Sequence, residues 1–272
     1  MRLSAIVRNT RHLLLLVGAS ALAGVLTAGL LLPLAGGVGV GAREGAEAFT
    51  DLPDEIDIPP LAERSRMTDS DGRTIAVFYE ENRIPVELDE VAEEMRDAVL
   101  AIEDDRFYER GPIDFQGTTR ALLENLEAGQ TTAGGSTLTQ QYVKMVQLDQ
   151  ADNAEERAQV LADTGPEGYL RKLRELRLAL TVEEQMTKDE ILENYLNIAN
   201  FGGPPGHANY GVEAAARYYF DTTAEDLTLA EAATLAGLIQ RPSAYEPTDN
   251  PEEAIGRRNT VITRMAEERM IT

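Results

Sequence analysis

Three short stretches carry residue types that could do chemistry. Residues 134–144, GGSTLTQQYVK, hold hydroxyls, amides and one lysine with almost no apolar surface, so core packing does not account for them. Gly134 and Gly135 leave the backbone open, and Ser136 or Thr137 can cap a following helix. The free N–H groups of a helix start attract anions. On that helix Ser136, Gln140 and Lys144 fall four apart on one face, and Thr137, Gln141 and Lys144 fall nearly together. The strip offers donors and one cation, which suits a phosphate or a sugar. A capped helix with a solvated face would use the same residues, and both readings stay open on this stretch alone.

Glu103-Asp104-Asp105 closes a helical pattern. Carboxylates there face the negative end of the helix dipole, at about 0.3–1 kcal/mol each. The same field raises a carboxylate's pKa, which suits a general base. An exposed acidic turn is the alternative. In RKLRE, residues 171–175, Glu175 lies four residues after Arg171 and three after Lys172. A surface salt bridge would account for that, although acid before base is the better order on a helix. Arg171, Lys172, Arg174 and Arg177 also crowd together in a chain of net charge −22. A polyanionic ligand such as a pyrophosphate would explain the crowding.

Positioning these groups falls to helices. In residues 89–104, Val91, Met95, Ala98, Val99 and Ile102 share one face, with Asp89 as the expected N-cap. Further helices are expected over 115–127, 168–186, 188–197, 211–219, 228–239 and 251–269. Residues 64–88 predict a small β-hairpin or meander, with a DG turn in MTDSDGRTIAVFY and IPVEL following ENR. The D-S-D-G stretch lacks the later ligands of a calcium loop and reads as a turn. No internal repeat is present. The expected fold is mainly α, with little sheet beyond the hairpin.

Composition narrows the chemistry. The chain has 272 residues, no Cys, and two histidines, His12 and His207. Thiol nucleophiles and Cys-metal sites are excluded, and an enzyme of this composition must work with carboxylates, hydroxyls, amides, Lys and Arg. The acidic balance argues against nucleic acid as a partner. Residues 13–41 carry no charge, and Arg2, Arg8 and Arg11 precede them. About 20 apolar residues cross a bilayer. The expected layout is a cytoplasmic tail at 1–12, a single transmembrane helix at 13–41, a linker at 42–63 and an extracellular domain at 64–272. A cleaved signal peptide, with AEA at 46–48, is the alternative.

Taken together, the stretches resemble the peptidoglycan glycosyltransferase domain of glycosyltransferase family 51. That domain occurs in class A penicillin-binding proteins and monofunctional transglycosylases. The five motif regions of the family appear in order: AIEDDRFYERGPID (101–114), GGSTLTQQYVK, RKLRE, the span 188–220 with KDEILENYLN, NFGG and YGVEAAARYYF, and RRNTVITRM (257–265). The resemblance covers about residues 65–272, and its details look most like actinobacterial members. It implies a lysozyme-like, two-lobed helical domain whose small mobile lobe lies near the membrane. It implies lipid II as substrate, joined through the growing chain's reducing-end sugar to the 4-hydroxyl of the next lipid II. Configuration inverts, a β-1,4 linkage forms, and lipid pyrophosphate leaves.

Carried over by resemblance, Glu103 matches the base that deprotonates the acceptor hydroxyl, and Glu175 matches the second essential glutamate near the donor pyrophosphate. Ser136, Gln140, Gln141 and Lys144 match the donor-site residues, with Thr137 taken into the same substrate-binding set. Arg171 and Lys172 match the basic pair of the third motif, and Tyr195 and Asn197 match the fourth. No metal site and no required cofactor are implied, although some members respond to Mg or Mn. The implied partners are lipid II, the growing glycan chain and the membrane, with other cell-wall synthesis proteins left open.

Some features depart from the family pattern. Arg110 stands where the usual His follows FYE, and the next Gly is shifted. Residues 147–170 form an acidic insertion, and GGPPGHAN at 202–209 widens a loop, where His207 reads as incidental. The SxxK, SxN and KTG motifs of a transpeptidase are not present, so this chain by itself is not expected to acylate with penicillin. It reads either as a monofunctional polymerase or as part of a longer protein. Two rivals remain: a glycan hydrolase on the same fold and a non-catalytic cell-wall scaffold. A glycosidase pairs an acid with a base or nucleophile, whereas a pyrophosphate leaving group mainly needs positive charge. The cation cluster favours the transferase.

Overall fold

The computed structural model describes residues 49, 52–79, 81–112, 136–162, 165–204 and 208–272. The expected transmembrane segment, the helix expected over 115–127, Gly134, Gly135 and His207 lie outside the described residues. The chain divides into two units, Met1–Leu52 and Pro53–Thr272, and the second holds everything below. Among the described residues, no helix is long and apolar enough to cross a membrane.

The second unit is mainly helical. Helix α1 (Glu93–Glu103) places Met95, Ala98 and Val99 in full burial at the i, i+3, i+4 spacing. It starts at Glu93 rather than after Asp89. Asp89 instead sits in a separate 3-10 turn, Leu88–Glu90, closed by a capping box between Glu87 and Glu90. Helix α2 (Leu138–Asp149) begins at Thr137, whose hydroxyl accepts the Gln140 N–H. The acidic insertion contains α3 (Ala154–Leu161), capped by Asn153 and carrying Glu155 and Glu156 in its first turn, where the dipole favours them.

Then follow α4 (Gly165–Gln185), α5 (Lys188–Ile198), α6 (Val212–Phe220), α7 (Leu229–Ile239), the single turn α8 (Pro242–Tyr245) and α9 (Pro251–Glu267). Thr187 with Glu190, and Thr228 with Glu231, form the capping boxes that fix the starts of α5 and α7. Helix α7 is buried nearly all round, from Ala232 to Ile239, and α1 and α9 pack against it. Helix α2 packs against α4 and α5. Met95, Val99, Tyr142, Ile191, Leu196 and Leu238 belong to one continuous core.

Two small sheets accompany the helices. Strands β1 (Ser65–Thr68) and β2 (Thr74–Phe78) form the expected antiparallel hairpin. Its turn is held by the Asp69 carboxylate, which accepts the N–H groups of Asp71 and Arg73, with Gly72 at φ 80°. IPVEL does not extend it. Instead β3 (Asn82–Arg83) pairs in parallel with β4 (Asn209–Tyr210), far along the chain. The reason lies in residues 85 and 86. Pro85 has no N–H to give a ladder, and both backbone groups of Val86 are taken by the Asn197 side-chain amide, at 3.0 and 2.8 Å. That amide stands in for a neighbouring strand. Gly211, at φ 82°, then brings the chain so close to Asn197 that an added Cβ would lie 2.9 Å from its carbonyl oxygen.

The linker segment joins this framework. Ile56, Ile58 and Leu61 pack against the core, Arg177 pairs with Asp54 at 2.7 Å, and Gln150 donates to the Asp57 carbonyl. Arg83 is wholly buried. It pairs with Glu81 at 2.9 Å and Asp149 at 3.0 Å, donates to the Ala62 carbonyl and lies over the Tyr210 ring.

Candidate functional site

A cleft of about 900 Å³ runs along α2. Glu103 opens one end. It is the last residue of α1, and the turn after it is fastened by Asp104, which is buried. One Asp104 oxygen accepts the Leu138 N–H at 2.9 Å, and the other accepts Arg110 Nε at 2.9 Å and also contacts Arg110 Nη2. This clasp ties the end of α1 to the start of α2. It sets Glu103 Oε2 2.9 Å from Gln141 Nε2, while Gln141 Oε1 accepts the Tyr195 hydroxyl at 3.3 Å. Arg110 therefore neutralises a buried carboxylate one residue from Glu103.

Glu103 is not an exposed acidic turn. Its Oε1 is buried and has no hydrogen-bond partner among the described residues. Burial pushes its pKa above the usual carboxylate range, and Asp104 adds to that. The Gln141 hydrogen bond and the Arg257 charge oppose it without cancelling it. The direction agrees with the sequence expectation. The leading cause is desolvation, not the helix dipole.

One turn of α2 further on, Lys144 faces the cleft and makes no ion pair among the described residues. Three residues separate it from Gln141, about 4.5 Å along the axis at ~1.5 Å per residue. Opposite stands α4. Lys172 Nζ donates to Ser136 Oγ at 2.6 Å, Gln140 Oε1 at 2.9 Å and Glu175 Oε1 at 2.5 Å. Arg171 holds Glu175 Oε2 at 2.6 Å and the Ala162 carbonyl at 2.7 Å. Glu175 is 3% exposed, so this is no surface salt bridge. It is a buried carboxylate with a cation on each oxygen, which holds both cations in the cleft wall.

The expected site residues divide into two layers. Glu103, Ser136, Gln141, Lys144, Arg171, Lys172 and Glu175 line the cleft. Thr137, Gln140, Tyr195 and Asn197 lie buried beneath it. Thr137 and Gln140 both donate to the Pro112 carbonyl, which fixes the start of α2. Sequence reasoning missed the far wall, where Glu81, Asp149, Arg157 and Tyr210 line the same cleft. Arg157 and Leu161 had one usable signal, a one-turn spacing in the insertion; Glu81 and Tyr210 had none. Among the described residues, no group of three or more acidic or histidine side chains could hold a metal ion.

Comparison with known proteins places this geometry in context. The sequence profile of the family described as transglycosylase matches residues 71–266. Penicillin-binding protein 1F of Bacillus subtilis is 36% identical over 208 residues, covering 76% of this chain and 26% of that protein. Penicillin-binding protein 1A of Escherichia coli is 41% identical over 204 residues, covering 75% of this chain and 22% of that protein. The crystal structure of penicillin-binding protein 1A from Haemophilus influenzae aligns with a TM-score of 0.40 at 25% identity, covering 79% of this chain and 19% of that one. The chain thus spans about a quarter of the length of the relatives it matches.

Proposed function

The chain belongs to the transglycosylase family, and from that premise we propose that it is a peptidoglycan glycosyltransferase that polymerises lipid II in cell-wall synthesis. Glu103 takes the proton of the acceptor 4-hydroxyl. The freed oxygen attacks C1 of the donor sugar from the face opposite its pyrophosphate, a C–O bond forms with inversion, and the C1–O bond to pyrophosphate breaks. The electron pair leaves with the lipid pyrophosphate, and the product carries a β-1,4 linkage.

One observation carries the reading. Among the described residues, a carboxylate with a buried, unpartnered oxygen stands in the same cleft as an unpaired lysine and a fixed Arg–Lys pair. The first suits proton abstraction, because a base is most effective when its pKa lies near the working pH. The second suits a developing phosphate charge in a partly dry site. In this reading Lys144, Ser136, Gln141, Arg171 and Lys172 meet the donor, and Glu175 holds the cations in place. Thr137, Gln140, Tyr195 and Asn197 act from below, by fixing α2, Gln141 and the segment around Val86. Transfer is favoured over hydrolysis because both Glu175 oxygens are occupied by cations. The partner acid or nucleophile of a glycosidase would need a free carboxyl group.

The proposal extends to the setting. The domain is lysozyme-like and two-lobed, residues 13–41 anchor it in the cell membrane with the N-terminus in the cytoplasm, and the cleft works outside. No cofactor is required, and Mg or Mn would enter bound to the donor's pyrophosphate. The test is to incubate detergent-solubilised protein with labelled lipid II and separate the products on a gel, beside Glu103→Gln. A ladder of glycan strands from the wild type alone is expected. No product from folded wild-type protein would move the assignment to a cell-wall scaffold.

A further inference from the structure

Tyr195 of α5 lies beneath the cleft: it is 0% exposed and does not line the cavity. A buried phenol still has a hydrogen to place. Among the described residues its hydroxyl has one hydrogen-bond partner, Gln141 Oε1, at 3.3 Å. Gln141 Nε2 in turn donates to Glu103 Oε2 at 2.9 Å. The amide therefore stands between a hydroxyl that solvent does not reach and the carboxylate read above as the base.

An amide has two unlike ends, a carbonyl that only accepts and an NH2 that only donates. Turned round, Gln141 would present Oε1 to Glu103. Two acceptors would then face each other, unless the Glu103 carboxyl carried its proton and donated it to Oε1. At the other end Tyr195 could accept from Nε2, but its own hydrogen would lose its acceptor. A buried donor left unmatched is costly. The reversed amide thus suits protonated Glu103, and the Tyr195 hydroxyl stands against it.

We propose that the Tyr195 hydroxyl holds the Gln141 amide one way round, so that Glu103 always meets an N–H and never a carbonyl. The proposal deepens the reading of Glu103 as the base and rests on it. Tyr195 is a positioning residue: it touches no reacting atom and acts through Gln141. The other titratable and charged groups facing Glu103 are Asp104 beside it and Arg257 of α9, with Lys144, Arg171, Lys172 and Glu175 lining the same cleft. Helix α7 adds none, because Glu231, its one titratable side chain, closes its own capping box. Removing the Tyr195 hydroxyl leaves all of these in place. It takes a hydrogen bond from the observed amide and lifts the penalty on the reversed one. Both effects favour the protonated acid.

The test uses the full chain in detergent, with carbon-13 in the glutamate side-chain carboxyls and Glu103→Gln to assign the Glu103 signal. Its titration midpoint is read by NMR, and the acid limb of polymerisation is read against pH. In Tyr195→Phe the midpoint should rise by about 0.5–1 in pH, the worth of one hydrogen bond, and the acid limb should rise with it. Ile191→Val trims another fully buried side chain of α5, one turn earlier, and should move neither. An unmoved midpoint in folded Tyr195→Phe overturns the proposal, and so does an equal movement in Ile191→Val, which would assign the effect to packing. A moved midpoint with an unmoved acid limb supports the role of Tyr195 and overturns the base reading instead. Nitrogen-15 in the glutamine side-chain amides, with Gln141→Met to assign the signal, gives a second reading in the wild type that needs no folded Phe variant. The Gln141 amide should titrate with the Glu103 midpoint. An amide indifferent to that midpoint would mean that its N–H groups face elsewhere, and overturns the proposal.

Discussion

Arg110→Ala tests whether the clasp beside Glu103 holds the site together. The Asp104 side chain is 1% exposed and the Arg110 side chain 20%. Removing Arg110 takes away the bond from Nε at 2.9 Å and the contact from Nη2. The carboxylate would keep the Leu138 N–H at 2.9 Å. Breaking a buried ion pair by removing one partner costs about 3–5 kcal/mol. The surviving hydrogen bond, and water reaching the vacated space, put this case near the lower figure, about 3 kcal/mol. In a unit of this size each kcal/mol shifts Tm by about 2–4 °C, so Tm should fall by about 6–12 °C. Thermal unfolding followed by circular dichroism measures this directly. Asp104→Asn in the Arg110→Ala background should recover much of the loss, because it removes the stranded charge. A Tm change under about 2 °C, or a double-mutant cycle that is additive within ~0.5 kcal/mol, would refute the clasp.

Glu103→Gln should lower polymerisation by about 10²–10⁴-fold, the usual contribution of a positioned base. Its stability effect has a definite sign. Burial raises the folded pKa above the unfolded one, so ionising Glu103 costs stability as pH rises through that window. The Gln variant should therefore melt no lower than wild type at pH 7, with any gain gone below the unfolded glutamate's pKa of about 4.3. A clearly lower Tm at pH 7 would contradict the burial account. Lys144→Ala should reduce kcat/KM for lipid II by about 10–100-fold, the worth of one charge-assisted hydrogen bond. Its Tm should barely move, because Lys144 has no ion-pair partner to strand among the described residues, and unchanged kinetics would remove it from the donor site. Glu175→Gln should cost about 3 kcal/mol of stability by removing the buried carboxylate that both Arg171 and Lys172 hold; chemical denaturation with an unshifted midpoint would show that the pair does not depend on it.

Most of the helices were legible because their signal is local. Met95, Ala98 and Val99 announce a buried face, and Thr187 with Glu190 announces a helix start within four residues. The pairing of Asn82–Arg83 with Asn209–Tyr210 was not legible. Two residues on each side carry no period, and the partner lies more than a hundred residues away. Val86 looked like strand because Ile84, Val86 and Leu88 alternate along IPVEL, yet its backbone groups are satisfied by the Asn197 amide. The site divided in the same way. GGSTLTQQYVK and RKLRE could be recognised as polar segments that packing does not explain. Which of their residues reach the cleft depends on how α2 sits on α4 and α5, so Thr137 and Gln140 could not be told from Ser136 and Lys144. The buried state of Glu103 likewise comes from the neighbouring helices and not from its own. Arg83 sits in a polar stretch, ENR, and nothing local marks it as wholly buried.

The three bonds of Lys172 bear on how the cleft would receive an anion. An ammonium group has three hydrogens, and here they are directed to Ser136, Gln140 and Glu175. The resting site is therefore saturated at that nitrogen. A phosphate oxygen can engage it only by displacing an incumbent, and Ser136, which lines the cleft, is the accessible one. Binding there is an exchange of one acceptor for another, and the hydroxyl it releases becomes free to donate to the same anion. The affinity contributed by Lys172 is then the difference between two strong bonds, while Lys144, with no ion pair to surrender among the described residues, contributes its full strength. On the proposed reading, two lysines of equal charge in one cleft would thus do unequal jobs: Lys144 would draw the anion in, and Lys172 would recognise it by trading partners.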